Sequence, residues 1–436
     1  MELGKSMFGT SGIRGIYGTE ITEDLAQGVA AVFSKKLVVA RDIRKSGPKL
    51  LKAVAAGVGS NGGEVIDFGI VPTPTLALGT KIHRIRGIML TASHNPPEYN
   101  GLKLIENGKE IGKDLEVEVT SRYRSWSKKS GSVTISHDSD ITSRHIEMIE
   151  DMVDGKAITT KKPKVIVDCN GAACAITPYL LEKLGCRVIS VNASFECFNR
   201  PSEPKAENLP YMSNLIRSSG ADFAIAHDGD GDRCIVFDEL GEALHFDVQL
   251  EMMIEHELSA TKNKKIVSTV ESSLSIRDGV ERAGGTIDIT PVGSTHVGDR
   301  MEETGAVFGG EPCGEYIYGK GVHVPDAILA AAKFAEIFST AGKFSKLKSR
   351  YPQSFIAREK LSVKDKYATM ERIKNSLSVN GKVRSDDGIR VDQEDGWFLI
   401  RASGTEPIVR LTVEYKTQQK TSQKKEELRV LIKKCL

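Results

Sequence analysis

The stretch LVVARDIRKSGPKLLKAVAAGVGSNGGEVIDFG, Leu37 to Gly69, decides the fold. A short β-rich run, LVVAR, leads into a helical stretch, KLLKAVAAGV, and that into a second β-rich run, EVIDFG. The order returns twice. KVIVDC from Lys164 is followed by a helix through Tyr179 to Leu184 and by RVISVN; KIVSTV from Lys265 is followed by a helix near Ile276 to Arg282 and by TIDIT. Strands alternating with helices of this length predict βαβ units and mostly parallel sheets. Three rounds predict three related α/β domains. Their repeat is on the order of 100 residues, too long for a solenoid.

The end of the chain reads differently. SFIAREKLSV, a helix over KYATMERIKNSL, then WFLIRAS and PIVRLTVEY around a turn predict an antiparallel hairpin with a charged C-terminal helix behind it. The expected division is residues 1–140, 141–238 and 239–349 for the three α/β domains, and 350–436 for a smaller α+β domain.

Composition narrows the function classes. The 436 residues carry 60 Lys and Arg against 58 Asp and Glu, a formal charge of +2. Such a balance makes no bulk electrostatic case for nucleic acid or an anionic membrane. Seven cysteines, an odd number without a C-x-x-C pair, argue against a disulfide framework or zinc ribbon and fit a reducing compartment. The N-terminus has no apolar core of a secretory signal. The longest apolar stretch, Ala327 to Phe338, is short and broken by Lys333 and Glu336, so no span of a bilayer is expected. A cytoplasmic protein is the expectation.

Four loops carry chemistry. Asp228-Gly-Asp230-Gly-Asp232-Arg233 sets three carboxylates at alternate positions between two apolar runs. Their mutual repulsion calls for a cation, and hard oxygens at that spacing suit Mg²⁺ or Ca²⁺. An EF-hand would also find a carboxylate at its twelfth position, Glu239, but Arg233 stands where its sharp turn needs Gly, and both flanks read as strands. A solvated acidic turn is the bland alternative. Thr91-Ala-Ser93-His94-Asn-Pro96 ends the apolar run RGIML, which puts Ser93 at the C-terminal edge of a strand, where open α/β sheets place their chemistry. Adjacent residues on a turn usually point apart, and no G-x-S-x-G elbow surrounds Ser93, so a serine-hydrolase reading is weak. Taken alone, Ser93 is as readily a turn cap as a nucleophile. Arg401-Ala-Ser403-Gly404-Thr405-Glu-Pro407, with Arg410 on the next strand, suits a phosphate, which arginine grips bidentately; alone it reads as a polar hairpin turn. Thr10-Ser11-Gly-Ile-Arg14-Gly15 is a similar anion-binding loop, and Gly310-Glu311-Pro-Cys313-Gly-Glu315 can present carboxylates to sugar hydroxyls.

Together these loops are more specific than apart. In the order TASHNP, DGDGDR, GEPCGE and RASGTEP, they resemble the signatures of the α-D-phosphohexomutase family along essentially the whole chain. The resemblance implies four domains around a central cleft. It implies that Ser93 is a phosphoserine donating its phosphoryl group to a substrate hydroxyl, and that Mg²⁺ sits between Asp228, Asp230, Asp232 and the Ser93 phosphate. A hexose 1,6-bisphosphate forms, turns end over end, and returns its other phosphate to Ser93. By the same resemblance, Arg14 and Lys103 assist beside the phosphoserine, while Ser11, His94 and Arg233 contact substrate. Arg401, Ser403, Gly404, Thr405 and Arg410 hold the phosphate that is not reacting, and Glu311, Cys313 and Glu315 select the sugar.

Two positions depart from the pattern G-E-x-S-G-H of bacterial relatives: Cys313 replaces the Ser and Glu315 the His. An acidic residue at 315 suggests attraction for an ammonium group, hence glucosamine over mannose or glucose. The expected activity is therefore a phosphoglucosamine mutase, with a phosphomannomutase/phosphoglucomutase as the alternative. The partners are hexose phosphates, and the protein is a monomer or homodimer. A phosphatase and a non-catalytic sugar-phosphate or Ca²⁺ binding protein are the rivals from other classes.

Overall fold

The computed structural model describes residues 7–9, 11–351, 355–378, 380–403 and 407–436. Its four sheets follow one another along the chain. The first holds the strands Lys36–Arg41, Glu64–Ile70, Arg86–Leu90 and Thr134–His137 in parallel, and Tyr99–Glu106 runs back antiparallel against Arg86–Leu90. The second pairs Lys164–Asp168 in parallel with Arg187–Val191 and Phe223–His227, and closes with the antiparallel Cys234–Phe237. The third repeats this plan with Lys265–Thr269, Thr286–Thr290 and Phe308–Glu311, then the antiparallel Glu315–Tyr318. The fourth is wholly antiparallel, from Phe355–Ser362 across Ile408–Tyr415 and Gly396–Ala402 to Ile389–Gln393 and Lys382–Arg384.

The expected fold class stands: three α/β domains with mixed, mostly parallel sheets, and an α+β C-terminal domain. The expected helices form at Gly47–Gly59, Ile176–Lys183, Leu274–Arg282 and Lys366–Ser376. Each α/β sheet contains the same device, a parallel strand, a short loop and an antiparallel return strand, and in the first sheet Ile13–Ile16 pairs antiparallel beyond the return strand. These three loops are residues 91–98, 228–233 and 312–314, the chemistry-bearing segments of the sequence. In the fourth, wholly antiparallel sheet, a turn joins the paired strands Gly396–Ala402 and Ile408–Tyr415.

The apolar stretch from Ala327 is a core helix, Ala327–Ala341. Lys333 is buried there and pairs with Glu336 and Glu257, each at 3.3 Å. Among the described residues no helix is long and apolar enough to cross a membrane.

Candidate active site

The loop after Arg86–Leu90 is held by a buried arginine. Arg44 is fully buried and ion-paired with Asp42 at 2.9 Å. Its guanidinium donates to the carbonyls of Ser93 at 2.9 Å, Asn95 at 2.8 Å, Pro96 at 2.5 Å and Tyr99 at 2.8 Å. Ser93 itself sits at φ +49°, in the left-handed region a serine rarely adopts. This geometry aims Oγ across the domain boundary, where it donates to Asp228 Oδ2 at 2.6 Å and to Asp232 Oδ1 at 3.2 Å. It also brings His94 Nδ1 to 3.4 Å from Ser93 Oγ, so these neighbours do not point apart as the turn argument expects.

The carboxylates of Asp228, Asp230 and Asp232 are all buried, each offering an oxygen within 4.8 Å of the others. The loop curls because Gly231 takes φ +72°, at a spot where a Cβ would press Pro72 at 2.9 Å. Thr73 pins it, its hydroxyl donating to Asp230 Oδ2 at 2.6 Å and its amide to the Asp230 carbonyl at 2.8 Å. Lys103 is buried and reaches Asp230 at 3.1 Å and, more closely, Asp232. Burial and the neighbouring Asp232 and Asp230 push the Asp228 carboxyl well up. Burial opposes ionisation of Asp232 too, but Lys103 and Arg233 hold it below the ordinary carboxylate range. Asp230 Oδ1 is buried without a hydrogen-bond partner. An orphaned hard oxygen within a three-carboxylate cluster fits a small divalent cation. Glu239 takes no part, for it accepts from the Ser345 amide at 3.3 Å and from its hydroxyl, which disposes of an EF-hand.

Other sequence-predicted residues surround this centre. Arg14 Nη2 donates to Ser11 Oγ at 3.0 Å, and Ser11 donates to Glu110 Oε1 at 2.9 Å. His94 is half-buried, and burial together with Arg233 and Arg14 keeps its imidazole well below the ordinary value. Arg233 meets Glu315 at 2.5 Å, across the boundary between the second and third domains. Glu311 accepts from the Gly293 amide at 3.1 Å, and burial beside Glu315 pushes its carboxyl well up. Burial and Glu315 also push up the half-buried Cys313 thiol.

In the fourth domain Arg401 pairs with Asp387 at 3.1 Å, and Asp387 accepts from the Val292 amide of the third domain at 2.9 Å. Arg401 lies directly opposite Arg410, and Arg410 directly opposite Lys360. Three cations thus stand in one cross-strand row beside the turn. Like charges so placed make this row locally positive, with Asp387 matching Arg401. Ser403 is buried at the start of this turn; Gly404 and Thr405 lie outside the described residues. Arg44 and Lys360 carry no motif. Only the register of the sheet and the fold of the loop bring them to the site.

Comparisons with known proteins agree along the chain. Residues 5–130, 143–241 and 247–355 match domains I, II and III of phosphoglucomutase/phosphomannomutase, each an alpha/beta/alpha domain, and residues 359–430 match its C-terminal domain. A probable phosphoglucosamine mutase of Methanosarcina barkeri is 38% identical over 421 residues, covering 94% of this chain and 95% of that protein. A phosphoglucomutase/phosphomannomutase of Thermococcus kodakarensis is 36% identical over 435 residues, covering 95% of each. In structure, the chain is similar to a phosphoglucomutase/phosphomannomutase family protein of Burkholderia thailandensis, with a TM-score of 0.89 at 27% identity over 100% of this chain and 98% of that one. Fold and relatives together define a phosphotransferase that isomerises hexose phosphates. The chain belongs to the phosphoglucomutase/phosphomannomutase family.

Proposed function

We propose that the chain interconverts hexose 6-phosphate and hexose 1-phosphate through a phosphoserine at Ser93 and a 1,6-bisphosphate intermediate, with glucosamine as the sugar. The observation that carries this reading is the Ser93 hydroxyl standing 2.6 Å from a carboxylate of a buried aspartate triad. Binding alone needs no nucleophile there.

Asp228, Asp230, Asp232 and the phosphorylated Ser93 would hold Mg²⁺, which neutralises charge on the transferring phosphoryl group. A phosphoserine beside three aspartates brings the cluster toward about −5, so Lys103 and Arg14 stand where anionic oxygens need cations. The sugar's free hydroxyl oxygen bonds to phosphorus as the Ser93 Oγ–P bond breaks; the hydroxyl gives up its proton and Oγ takes one up. In the reverse transfer Oγ loses that proton as it is rephosphorylated, while the departing sugar oxygen gains one. The row Lys360, Arg410 and Arg401, with Ser403, Gly404 and Thr405, would grip the other phosphate. Glu311 and Cys313 would face the ring. Phosphoryl transfer asks for positioning and charge neutralisation more than covalent chemistry from the protein, which suits this donor set.

The sugar rests on the relatives' names rather than on Glu315. That carboxylate is matched by Arg233 at 2.5 Å, so the attraction for an ammonium group expected of it falls away. The test is ³¹P NMR of the protein with Mg²⁺, a trace of glucose 1,6-bisphosphate and, separately, the 1-phosphates of glucosamine, mannose and glucose. A 6-phosphate resonance growing with wild type and not with Ser93→Ala is the expected result, fastest with glucosamine. Fastest turnover of mannose or glucose reassigns the sugar. Release of inorganic phosphate alone makes the protein a phosphatase, and no change with any sugar makes it a binding protein.

A further inference from the structure

The segment Phe198–Ser202 follows the strand Arg187–Val191 and belongs to none of the four turns, yet it touches two of them. Ser202 Oγ donates to the main-chain carbonyl of Ser93 at 3.0 Å. Arg44 Nη2 donates to the same carbonyl at 2.9 Å from the first domain. One donor therefore comes from each side of the domain boundary. Arg200 Nη2 donates to the His227 carbonyl at 2.5 Å, immediately ahead of Asp228. The Phe198 ring lies 5.2 Å from the Arg44 guanidinium. It also presses on Gly229 of the aspartate loop, where a Cβ would meet the ring and Ser202 Oγ at 3.0 Å.

Arg200 directly, and Ser202 through Asn170, are tied to Asp168 at the end of the strand Lys164–Asp168. Its Oδ1 accepts from Arg200 Nε at 3.1 Å and from the Asn170 amide at 3.0 Å, and its Oδ2 from Asn192 at 2.7 Å and from the Tyr211 hydroxyl. Asn170 Nδ2 in turn donates to Ser202 Oγ at 3.0 Å. Asp168, Arg200 and Ser202 are all buried.

We propose that Asp168, Phe198, Arg200 and Ser202 form a positioning brace that fixes the main chain of Ser93 against the main chain of the aspartate loop. The brace rests on the phosphoserine reading above and deepens it. Ser93 holds a left-handed conformation that relaxes unless its surroundings over-determine it. Nucleophile and carboxylates also belong to different domains. Thr73 and Lys103 tie the Asp230 and Asp232 end of the aspartate loop to the first domain, and the brace adds a tie at the main chain of the serine itself. A displacement of about 1 Å at a reacting atom is enough to slow a transfer up to about 100-fold.

The experiment uses full-length, dephosphorylated protein with Mg²⁺ and glucose 1,6-bisphosphate. Single-turnover phosphorylation of Ser93 is followed by intact mass, beside steady-state kinetics and thermal melting. Ser202→Ala is expected to slow both Ser93 phosphorylation and kcat about tenfold with KM unchanged. Its melting temperature should stay within about 3 °C of wild type. Ser202→Thr, which keeps the donor hydroxyl, should restore the rate. Should Ser202→Ala fail to fold, Phe198→Leu is read in the same assay, with the same fall in kcat at constant KM expected. A Ser202→Ala protein running at the wild-type rate overturns the brace, as does a loss shared by Ala and Thr that tracks the melting temperature. Wild-type protein that takes no phosphate on Ser93 is a separate failure: it removes the phosphoserine reading itself, and the brace with it.

Discussion

Arg233 and Glu315 come from different domains and meet with side chains 21% and 6% exposed. Removing either partner leaves an uncompensated charge in a poorly hydrated place, and the two removals differ. Without the arginine, Glu315 faces Glu311, whose carboxyl is already pushed up by burial and by that neighbour. Arg233→Gln is therefore expected to lower stability by about 1–3 kcal/mol, read from the urea midpoint, and to raise KM for the sugar phosphate. Glu315→Gln leaves an extra cation facing a dianionic ligand, so KM should fall or hold; a rise in KM equal to that of Arg233→Gln would contradict this. At this scale the aspartate triad and Ser93 were readable because residue type and spacing along a few consecutive positions dictate their chemistry. Arg44, Lys360 and Ser202 were not, since their partners lie far away in the chain and only folding brings them together.

Among the elements, the helix Ala327–Ala341 is capped by Asp326, whose Oδ1 accepts from the amides of Ile328 at 3.1 Å and Leu329 at 2.9 Å. Its Oδ2 meets His145 Nε2 at 2.9 Å, and His145 Nδ1 meets Thr75 Oγ1 at 2.7 Å, all buried. One carboxylate thus serves a helix end and a junction of three domains. Asp326→Ala should cost about 2–4 kcal/mol, a lost cap plus a stranded buried imidazole; a loss within the range of a cap alone would show the junction to be idle. A second pair of helices gives a pH signature. Glu251, on Phe246–Ser259, is buried against Leu274–Arg282, and burial raises its carboxyl to about 7 despite Arg282 at 2.7 Å. The folded chain then keeps a proton that the unfolded chain releases above about pH 4.5. Stability should fall as pH rises from about 4.5 to 7, by at most about 3 kcal/mol, and Glu251→Gln should remove that component of the slope in urea titrations. The alternation of strand and helix was legible because apolar runs and helical spacing are local. The run after the aspartate loop was legible as a strand and mixed sheets were expected, but the antiparallel direction of the return strands was not assigned, although the sequence held a cue. A parallel connection needs a dozen or more residues, and the loops at 228–233 and 312–314 are too short to provide it.

In the whole molecule, the fourth domain is docked on the third through a partly apolar seam. Trp397 and Leu399 pack with Val270, and the buried Arg390 guanidinium lies 3.7 Å from the Trp397 ring centroid. Arg390 also donates to the Ser272 carbonyl at 3.2 Å, and Glu414 accepts from the Leu274 amide at 2.9 Å. Trp397→Ala should cost about 3–5 kcal/mol and split the calorimetric transition in two, as the fourth domain unfolds apart from the rest. A single transition shifted as a whole would instead mean that the seam is not the weak link. That the last domain is antiparallel was readable from its hairpin; where it docks was not, because the seam is assembled from single residues on separate strands.

The Ser93 carbonyl, gripped by Arg44 from one domain and Ser202 from the next, has a use beyond mechanism. On the proposed mechanism, a chain divided near residue 140 gives two pieces, one with the serine and one with the aspartates, and neither is expected to turn over substrate. Activity regained on mixing them would report their reunion, a split-enzyme reporter built from one polypeptide.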